Sequence, residues 1–417
     1  MWHDLQFYSG IDKIQKNVYS NFHIVRRFRL AGRQPIDHGA KTTSPAQREK
    51  SMNYSTFASE SVCSGHPDKV CDQVSDAILD AALKIYPKSR VAVETLVTVD
   101  HMTIAGEVTC PQKIDFENIA RGVVEDLGYT VKEFGFWHKS PVDVFVHQQS
   151  PDISQGVDTG GAGDQGMMFG YAVDETPELM PLPIMLAHAL TRAMDELKVT
   201  KLKYLRPDGK SEVSVKYEDS LPVGVDTIVL ANPHDPKISH DQVKFDLYQH
   251  AVTPVLKAYK QPLINIDKLI VNGTGKWDIG GPATDTGVTG RKIIVDSYGG
   301  MARIGGGAFS GKDPTKVDRS GAYAARFVAK HVVAAKMARR CEVQLAYVIG
   351  VREPIVKSIE TFGTATAKQA DIEKYAWKLL DLSTPGIIAG LKLQRPIYRE
   401  TAKNGHFGHS EFPWEKI

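Results

Sequence analysis

The sequence predicts an α+β protein whose sheets are antiparallel or mixed and carry helices on one face. Helical and strand patterns alternate along the 417 residues without a regular strand–helix–strand rhythm, which favours α+β domains. Two adjacent strand patterns are separated only by a tight turn, which predicts an antiparallel hairpin. Apolar residues make up 42% and charged residues 24% of the chain, so a disordered or collagen-like chain is excluded.

The elements follow from local patterns. Pro67 precedes apolar residues spaced from Val70 to Ile85 with a helical period, which predicts a helix that begins near Pro67. RVAVETLVTVD and HMTIAGEVT predict the hairpin, with its turn at Asp100-His101. We expect further helices at 114–128, 181–198, 239–258, 318–338 and 368–380, and further strands at 142–147, 212–217, 225–231, 267–272 and 342–350.

Two segments predict loops. SPDISQGVDTGGAGDQG, residues 150–166, has no apolar period and reads as a loop at a domain junction. From Gly273 to Gly311, 12 of 39 residues are glycine, so the backbone there must turn tightly or approach a ligand. The expected organisation is a leader over 1–51, an N-terminal α+β domain over 52–152, a lid loop and junction over 153–166, a central domain over 167–284 and a C-terminal domain over 285–417.

The leader differs from the rest in charge. Residues 1–51 contain nine Lys or Arg and four Asp or Glu, a net charge of +5. The basic segment HIVRRFRLAGR could be a targeting peptide or an anion-binding arm. Asp4, Asp12 and Asp37 do not suit a transit peptide, which is poor in acidic residues. We therefore expect a poorly ordered leader, with domain patterning from Met52.

Charge, apolar runs and cysteines exclude several classes of protein. The whole chain has 51 Lys and Arg against 49 Asp and Glu, whereas a dedicated nucleic-acid binder usually has a strong basic excess. No stretch approaches the roughly 18 consecutive apolar residues of a membrane-spanning helix. The four cysteines, at 63, 71, 110 and 341, fit neither a disulfide scaffold nor a zinc motif. We expect free thiols in the cytoplasm, and neither nucleic acid nor membrane as a partner.

The segment GGGAFSGKD, residues 305–313, matches a P-loop only in part. Gly306 to Lys312 satisfy G-x-x-x-x-G-K, but Asp313 stands where a P-loop has Ser or Thr, and no buried strand precedes it. A surface loop is disfavoured because Phe309 lies between the glycines. An anion cradle is the better interpretation, since glycine-rich backbone offers converging N–H groups and Lys312 adds charge.

Basic and acidic side chains in other turns point to a polyphosphate with Mg²⁺. Each cation alone is more often a solvated surface charge, and each aspartate alone a helix cap or turn residue. Glu94 and Glu107 face each other if the turn is at Asp100-His101, which is unfavourable unless a cation lies beside them. Hard oxygen ligands near several cations suit Mg²⁺ bound to phosphates. The cations are His66, Lys69, Lys210, Arg291, Lys292, Lys312 and Lys316, and the aspartates are Asp68, Asp164, Asp285 and Asp318.

Longer motifs resemble one family. SGHPDKVCDQVSDAILDA, GAGDQG, LRPDGKSEV, GGPATDTGVTGRKIIVDSYGG, GGGAFSGKDPTKVDRSGAYAAR and HFGHSEFPWE resemble S-adenosylmethionine synthetase (methionine adenosyltransferase), over about Met52 to Lys416. The resemblance implies three similar α+β domains related by pseudo-threefold symmetry. It implies a homodimer, often paired into a tetramer, with active sites between subunits. It also implies the conversion of ATP, methionine and water to S-adenosylmethionine, phosphate and diphosphate, with Mg²⁺ and K⁺.

The resemblance also implies roles for single residues, carried over motif by motif. ATP would contact His66, Asp208, Lys210, Lys276, Trp277, Asp285, Arg291, Lys292, Ala308 and Lys312, and methionine would contact Glu107, Gln149, Asp285 and Lys316. Asp68 and Asp318 would hold Mg²⁺, and Glu94 would belong to the K⁺ site. His66, Lys210, Asp285, Arg291 and Lys312 would act in catalysis.

The chain departs from the family at three places. Trp277 stands where the family usually has Phe stacked on adenine, and its ring keeps the π-face. Only Thr159 and Gly160 lie between QGVD and GAGDQG, so the family's lid loop is short here. Ile304 stands where histidine is frequent.

The implied reaction sets a clear chemical demand. The methionine sulfur attacks C5′ of ATP, and the tripolyphosphate leaves and is then hydrolysed. Preorganised cations, assigned to His66, Lys210, Lys312 and Mg²⁺, would stabilise the charge on the leaving group. The alternatives are a generic ATP phosphotransferase or ATPase that uses residues 305–312, and a nucleotide-binding protein without catalysis. Detection of S-adenosylmethionine, of ADP or of neither product separates these three.

Overall fold

The computed structural model describes residues 55–148 and 160–417. The predicted leader, Gln149 and residues 153–159 of the predicted lid loop lie outside the described residues. The strands are β1 (Thr56–Val62), β2 (Arg90–Thr98), β3 (His101–Thr109), β4 (Val142–His147), β5 (Gly166–Val173), β6 (Lys210–Glu218), β7 (Leu221–Ala231), β8 (Leu269–Val271), β9 (Gly287–Val288), β10 (Arg340–Tyr347) and β11 (Val356–Glu360). The helices are α1 (Pro67–Ile85), α2 (Phe116–Asp126), α3 (Leu182–Thr200), α4 (His240–Leu247), α5 (Thr253–Ala258), α6 (Ile293–Asp296), α7 (Val317–Ala334), α8 (Gln369–Ala376), α9 (Thr384–Gly390) and α10 (Tyr398–Thr401).

Three sheets organise the described residues. Sheet 1 has the order β4-β3-β2-β9, sheet 2 the order β1-β6-β7-β8 and sheet 3 the order β11-β10-β5. Sheets 1 and 2 share one pattern, in which two antiparallel pairings are followed by one parallel pairing at an edge. Sheet 3 has only the two antiparallel pairings. The α+β class and the mixed sheets are as predicted.

Each sheet takes one strand from a distant part of the chain. Sheet 1 is completed by β9, sheet 2 by β1 and sheet 3 by β5. The donated strand therefore always belongs to a segment that contributes most of its strands to another sheet. The predicted domain boundaries stay a prediction, and the sheets exchange strands across them.

One long helix covers one face of each sheet. Helix α1 packs on β2, α3 packs on β1 and β6, and α7 packs on β5 and β10. These helices have 19, 19 and 18 residues. A second helix lies behind each of them, with α2 against α1, α5 against α3 and α8 against α7. The three layers therefore repeat one sheet–helix–helix arrangement, in agreement with the expected similarity of the three domains.

Local chemistry explains how the helices begin. In α1, Pro67 occupies the first turn, where a missing N–H costs nothing, and the His66 side chain accepts the N–H of Asp68. Asp115 and Ser239 cap α2 and α4 in the same way. The predicted helix at 239–258 contains a π-helical turn, Tyr248–Val252, between α4 and α5. Pro254 has no N–H to donate in the following turn, which accounts for the irregular hydrogen bonding.

The hairpin forms where it was predicted, but its register is different. Thr98 pairs with His101, so the two turn residues are Val99 and Asp100, and the prediction of a turn at Asp100-His101 is wrong. Asp100 has φ of 45°, a left-handed conformation that aspartate tolerates. Its N–H donates to the carbonyl of Gly135 at 2.8 Å, and its carboxylate accepts from Ser140 Oγ at 2.7 Å. These distant contacts select the turn.

Candidate active site

Four aspartates lie on one side of α1 and hold loops from distant segments. Asp68, Asp72, Asp76 and Asp80 are spaced four residues apart, which places them along one face of a helix. We call this row the aspartate ladder. Each member accepts backbone N–H groups: Asp68 from Val288 at 2.9 Å, Asp72 from Gly290 at 2.8 Å, Asp76 from Gly311 at 2.8 Å, and Asp80 from Tyr398 and Arg399, both at 2.9 Å.

The ladder therefore fixes the glycine-rich segment to α1 at Val288 and Gly290, in its middle, and at Gly311, its C-terminal end. Asp68, Asp72 and Asp76 are fully buried. Asp72, Asp76 and Asp80 were not among the site residues predicted from the sequence. The signal was nevertheless present, because carboxylates spaced four residues apart on an otherwise buried helix need partners from outside that helix.

Asp68 gathers two of the predicted ATP contacts. Arg291 Nε lies 2.9 Å from its Oδ1, and Lys292 Nζ lies 2.5 Å from its Oδ2. Burial raises the pKa of Asp68, but the hydrogen bonds from Lys292 and from the N–H of Val288 outweigh it and leave the pKa below its usual value. Asp68 is thus a carboxylate at neutral pH, with two cations held beside it.

His66 is a neutral hydrogen-bond donor rather than the cation that the implied mechanism assumed. Burial, together with the charges of Lys292 and Lys210, lowers the pKa of His66 from 6.5 to about 3. Its Nδ1 accepts the N–H of Asp68 at 3.2 Å, so the proton of the neutral ring lies on Nε2. The ring can then donate that Nε2–H to an anion.

Lys312 extends the edge of sheet 1 next to β9. It pairs with Ala92, and the neighbouring N–H of Val93 donates to the carbonyl of Gly311 at 3.0 Å. Gly311 has φ of 80°, and a Cβ there would lie 2.0 Å from the carbonyl oxygen of Val93. Only glycine fits this turn, and it brings Lys312 against the sheet.

A cavity of about 310 Å³ lies on the face of sheet 1 away from α1. Its walls include four residues that the resemblance assigned to substrates or ions, namely Glu94, Glu107, Ala308 and Lys312. The rest of the lining comes from the hairpin and the glycine-rich segment, namely Ala92, Val93, Ala105, Gly106, Thr289, Ser310 and Gly311. The cavity therefore joins carboxylates of the hairpin to the glycine-rich loop.

Glu94 and Glu107 do not face each other directly, so that prediction is wrong. Glu94 lies opposite Ala105, and Glu107 lies opposite Ala92, because the hairpin turn is one residue earlier than predicted. The two glutamates are diagonal neighbours on the same face of the sheet. Both still line the cavity, and Glu107 Oε1 lies 3.4 Å from Nε2 of His147.

Asp318 and Lys316, at the start of α7, have different surroundings. Asp318 Oδ2 lies 2.5 Å from Lys312 Nζ, so this predicted Mg²⁺ ligand adjoins the cavity. Lys316 instead binds the buried Asp313 at 2.7 Å, outside the cavity lining. Asp313 also accepts the N–H of Val91 at 2.8 Å. Asp313, which follows the Gly311-Lys312 pair, is therefore a buried carboxylate that is hydrogen-bonded to β2, whereas a P-loop has a Ser or Thr hydroxyl at this position.

The remaining predicted residues lie around the loop that precedes β9. Asp208 is buried and accepts the N–H groups of Gly209 at 2.7 Å and of Gly281 at 2.8 Å. The Trp277 ring lies against Gly280, where a Cβ would be 3.0 Å from it. Lys276 is exposed and forms an ion pair with Asp278. Asp285 is also exposed, and its N–H donates to the carbonyl of Gly281. Lys210 is the first residue of β6.

Protein ligands alone do not form a metal site in the part of the chain that the structure describes. There, no three His, Cys, Asp or Glu side chains are grouped so that they could hold a metal ion. A hard cation would therefore be held by one or two carboxylates together with substrate oxygens, as is usual for Mg²⁺. In residues 55–148 and 160–417, no helix is long and apolar enough to cross a membrane.

The fold and this site define a class of protein, namely α+β enzymes with a cradle of cations and glycine backbone for a polyanionic substrate. The chain belongs to the S-adenosylmethionine synthetase family. The family models match its N-terminal domain at residues 54–151, its central domain at 159–277 and its C-terminal domain at 279–416.

Two relatives illustrate the similarity. The chain is 52% identical over 376 residues to an S-adenosylmethionine synthase of Treponema denticola, which covers 88% of this chain and 96% of the relative. It is 50% identical over 379 residues to an S-adenosylmethionine synthase of Desulforudis audaxviator, which covers 87% of this chain and 95% of the relative.

Proposed function

We propose that the chain synthesises S-adenosylmethionine from ATP and L-methionine, and that the reaction takes place between the glycine-rich loop and sheet 1. The observation that carries this proposal is the cavity that contains Glu94, Glu107, Ala308 and Lys312 together. It joins a carboxylate suited to an amino acid with a lysine suited to a phosphate. The two relatives are S-adenosylmethionine synthases, which supports the reaction, and the lining of this cavity supports the assignment of residues.

The chain's own groups meet the demand of the first step. The methionine sulfur attacks C5′ of ATP, the C5′–O bond breaks, and the tripolyphosphate oxygen takes the electron pair. Sulfur is a neutral nucleophile, so the step needs no general base. The charge gathers on the leaving oxygen, where Lys312, Lys292 and Arg291 supply cations and His66 donates its Nε2–H. The loop fixed by the aspartate ladder holds these donors in place before the reaction.

The metals of the proposal are Mg²⁺ and K⁺. Asp68 and Asp318 would hold Mg²⁺, since both are carboxylates already beside a lysine that can turn to the same phosphates. Mg²⁺ supplies charge neutralisation of the tripolyphosphate when bound. Glu94 would serve the K⁺ site.

Methionine is assigned to Glu107. This carboxylate lines the cavity and is about one-third exposed there, so it can accept the ammonium group of an amino acid. Gln149, Asp285 and Lys316 stay predictions. The support for Lys316 is weaker, because its ammonium group is bound to Asp313.

A homodimer is proposed because the face of sheet 1 that carries the cavity also exposes apolar side chains. Leu96 and Phe145 are 38% and 64% exposed there, and Phe145 lies in register with Ala105 beside Glu94. A second subunit on this face would cover them and close the cavity. Pairing into a tetramer follows only from the resemblance. A cytoplasmic location is supported by the four free cysteines.

A product assay tests the proposal. The protein is incubated with ATP, methionine, Mg²⁺ and K⁺, and products are identified by mass. We expect S-adenosylmethionine with phosphate and diphosphate in equal amounts. ADP as the product would instead indicate a phosphotransferase or ATPase, and no product would indicate a binding protein; either result contradicts the proposal.

A further inference from the structure

A fully buried ion pair lies directly behind Lys312. Arg319, in the first turns of α7, binds Asp76 of the aspartate ladder through both terminal nitrogens, at 2.8 Å and 2.7 Å. Both side chains have an exposed fraction of 0%. The pair joins the two long helices α1 and α7 at the glycine-rich loop.

Every N–H of the Arg319 guanidinium group has a partner. Two bind Asp76, one binds the carbonyl of Lys312 at 3.0 Å, one binds Thr401 Oγ1 at 3.1 Å and Nε binds Tyr323 Oη at 3.0 Å. Since arginine offers five donors in a rigid fork, this arrangement fixes the position of the guanidinium group.

The pair holds the backbone of Lys312 from both sides. Asp76 accepts the N–H of Gly311 at 2.8 Å, and Arg319 donates to the carbonyl of Lys312. One charge pair thus binds the peptide group that precedes Gly311 and the peptide group that follows Lys312. The same stretch is also paired with β2 opposite Ala92, where Val93 N–H donates to the Gly311 carbonyl and Asp313 N–H donates to the Val91 carbonyl, both at 3.0 Å.

Stability alone is a weak reason for a buried pair at this position. Burying two charges costs more solvation than their attraction usually returns, and apolar residues of similar size often serve stability as well. A buried pair that fixes the backbone of a catalytic lysine contributes to the rate instead, because a small displacement of the cation weakens its stabilisation of the developing charge.

We infer that Asp76 and Arg319 are positioning residues, which set the place of Lys312 in the transition state through its backbone. The inference rests on the proposed function. Neither residue touches substrate. Their contribution therefore appears in kcat, and it requires the Lys312 ammonium group to be present.

The test compares two neutralised ion pairs on the same helix. Asp76→Asn with Arg319→Gln keeps polar side chains but removes both charges and most of the five guanidinium hydrogen bonds. The matched control is Arg326→Gln with Glu415→Gln, a pair two turns further along α7 that is equally buried, with contacts of 2.8 Å and 2.9 Å. The Arg326–Glu415 pair contacts the carbonyls of Tyr171, Glu178 and Leu179, and Glu415 also binds Lys330 at 2.8 Å; none of these contacts is to the glycine-rich loop.

Steady-state rates and thermal unfolding are measured for both double variants. We expect the Asp76/Arg319 variant to lose about tenfold or more in kcat, with the KM for ATP within about threefold of the starting value. The control should keep kcat within about twofold even if its melting temperature falls equally. Equal kcat losses in both double variants would overturn the inference, since they would indicate general loosening.

Coupling to Lys312 gives a second readout. In a Lys312→Ala background, neutralising the Asp76–Arg319 pair should lower kcat by less than about twofold, because the group that it positions is gone. A full tenfold loss in that background would mean that the pair acts elsewhere, and the inference would fail.

Two further outcomes are distinguishable. If the double variant does not fold, Arg319→Lys replaces it, since lysine keeps the charge beside Asp76 but cannot also reach the Lys312 carbonyl. We expect a smaller loss of kcat in this variant, and a failure to fold here too would show that the pair is structural. If Lys312→Ala itself leaves kcat intact, the role that the proposed function gives to Lys312 is wrong, whereas the product assay tests the reaction itself. If Lys312→Ala lowers kcat but the Asp76/Arg319 variant does not, only this inference is wrong.

Discussion

Gly170 of β5 lies directly against the backbone of Ala325 in α7. A Cβ on Gly170 would come within 2.0 Å of the carbonyl carbon of Ala325, a separation that real Cβ atoms do not reach. This close approach brings sheet 3 onto its long helix, whose first turn carries Asp318 and Arg319.

Gly170→Ala should therefore destabilise the protein, since either the strand or the helix must move. We expect a loss of about 1–3 kcal/mol in the free energy of unfolding, measured by urea denaturation. Gly122→Ala is the matched control, because nothing lies within 4 Å of a Cβ at this position in α2. It should raise the free energy of unfolding by about 0.5–1 kcal/mol, because alanine favours a helix. Equal effects at both positions would contradict the close packing of β5.

Lys312→Ala should lower kcat for S-adenosylmethionine formation by about 100-fold and change the KM for ATP little. The charge that Lys312 stabilises develops mainly in the transition state. Steady-state kinetics with both substrates give the measurement. Lys257→Ala, an exposed lysine in α5, serves as control and should stay within about twofold. A change confined to KM would mean that Lys312 binds ground state and transition state equally.

Asp68→Asn should raise the Mg²⁺ concentration needed for half-maximal activity by about tenfold or more, because the variant loses one anionic oxygen ligand. The amide oxygen can still accept the N–H of Val288, so the loop should keep its place. Activity is titrated against Mg²⁺ for the variant and for Asp80→Asn, which changes the ladder member farthest from the site. If both variants shift the Mg²⁺ requirement equally, Asp68 is a structural member of the ladder and no ligand.

His66 should make stability depend on pH below neutrality. Its pKa is about 3 in the folded protein and 6.5 in the unfolded chain, so between these values the unfolded state binds more protons. The contribution is complete above pH 6.5 and is lost as pH falls, at up to about 1.4 kcal/mol per pH unit. Urea denaturation at pH 6.5, 5.5 and 4.5 should show a shallower loss for His66→Gln than for the unchanged protein. Parallel pH profiles would place His66 in contact with solvent.

Phe145→Asp should weaken self-association and, with it, activity. The substitution adds a charge to the exposed apolar face that carries the cavity. Light scattering with activity at the same dilutions provides the measurement, and Phe245→Asp, an exposed aromatic residue in α4, is the control. A fully active monomer would contradict the proposed homodimer.

Local patterns predicted the long helices and the hairpin because their signals are short-range. The 3.6-residue period located α1, α3 and α7, and β-branched alternation located β2 and β3. The hairpin register was missed because Val99-Asp100 and Asp100-His101 are both plausible turns, and the choice depends on Ser140 and Gly135. Strand β5 was missed because GMMFGYAV has little β-branched character. Its Gly170 allows the close approach of α7, although glycine is unfavourable within a strand.

At the site, sequence motifs located most of the side chains, but they did not show which of these side chains are charged or which groups they bind. The charge of His66 depends on burial and on Lys292, which lies far away in sequence, so the motif alone could not show that the ring is neutral. The pairing of Lys316 with Asp313 and the acceptors of the aspartate ladder depend on the tertiary structure in the same way. The four-residue spacing that includes Asp76 indicates partners outside the helix, but it does not show which backbone groups those partners are.

The exchange of strands among the sheets has a consequence for how the protein is made. The ribosome makes the chain from its N-terminus. Strand β1 therefore cannot pair until β6 has been made, the β2–β3 hairpin cannot gain its neighbour until β9 has been made, and β5 cannot pair until β10 has been made. Each newly made segment thus leaves one unpaired edge open until a later segment arrives. Within residues 55–148 and 160–417, each sheet needs a strand from another segment, and a translation product that stops before Val288 would expose the unfinished edge of sheet 1 to aggregation.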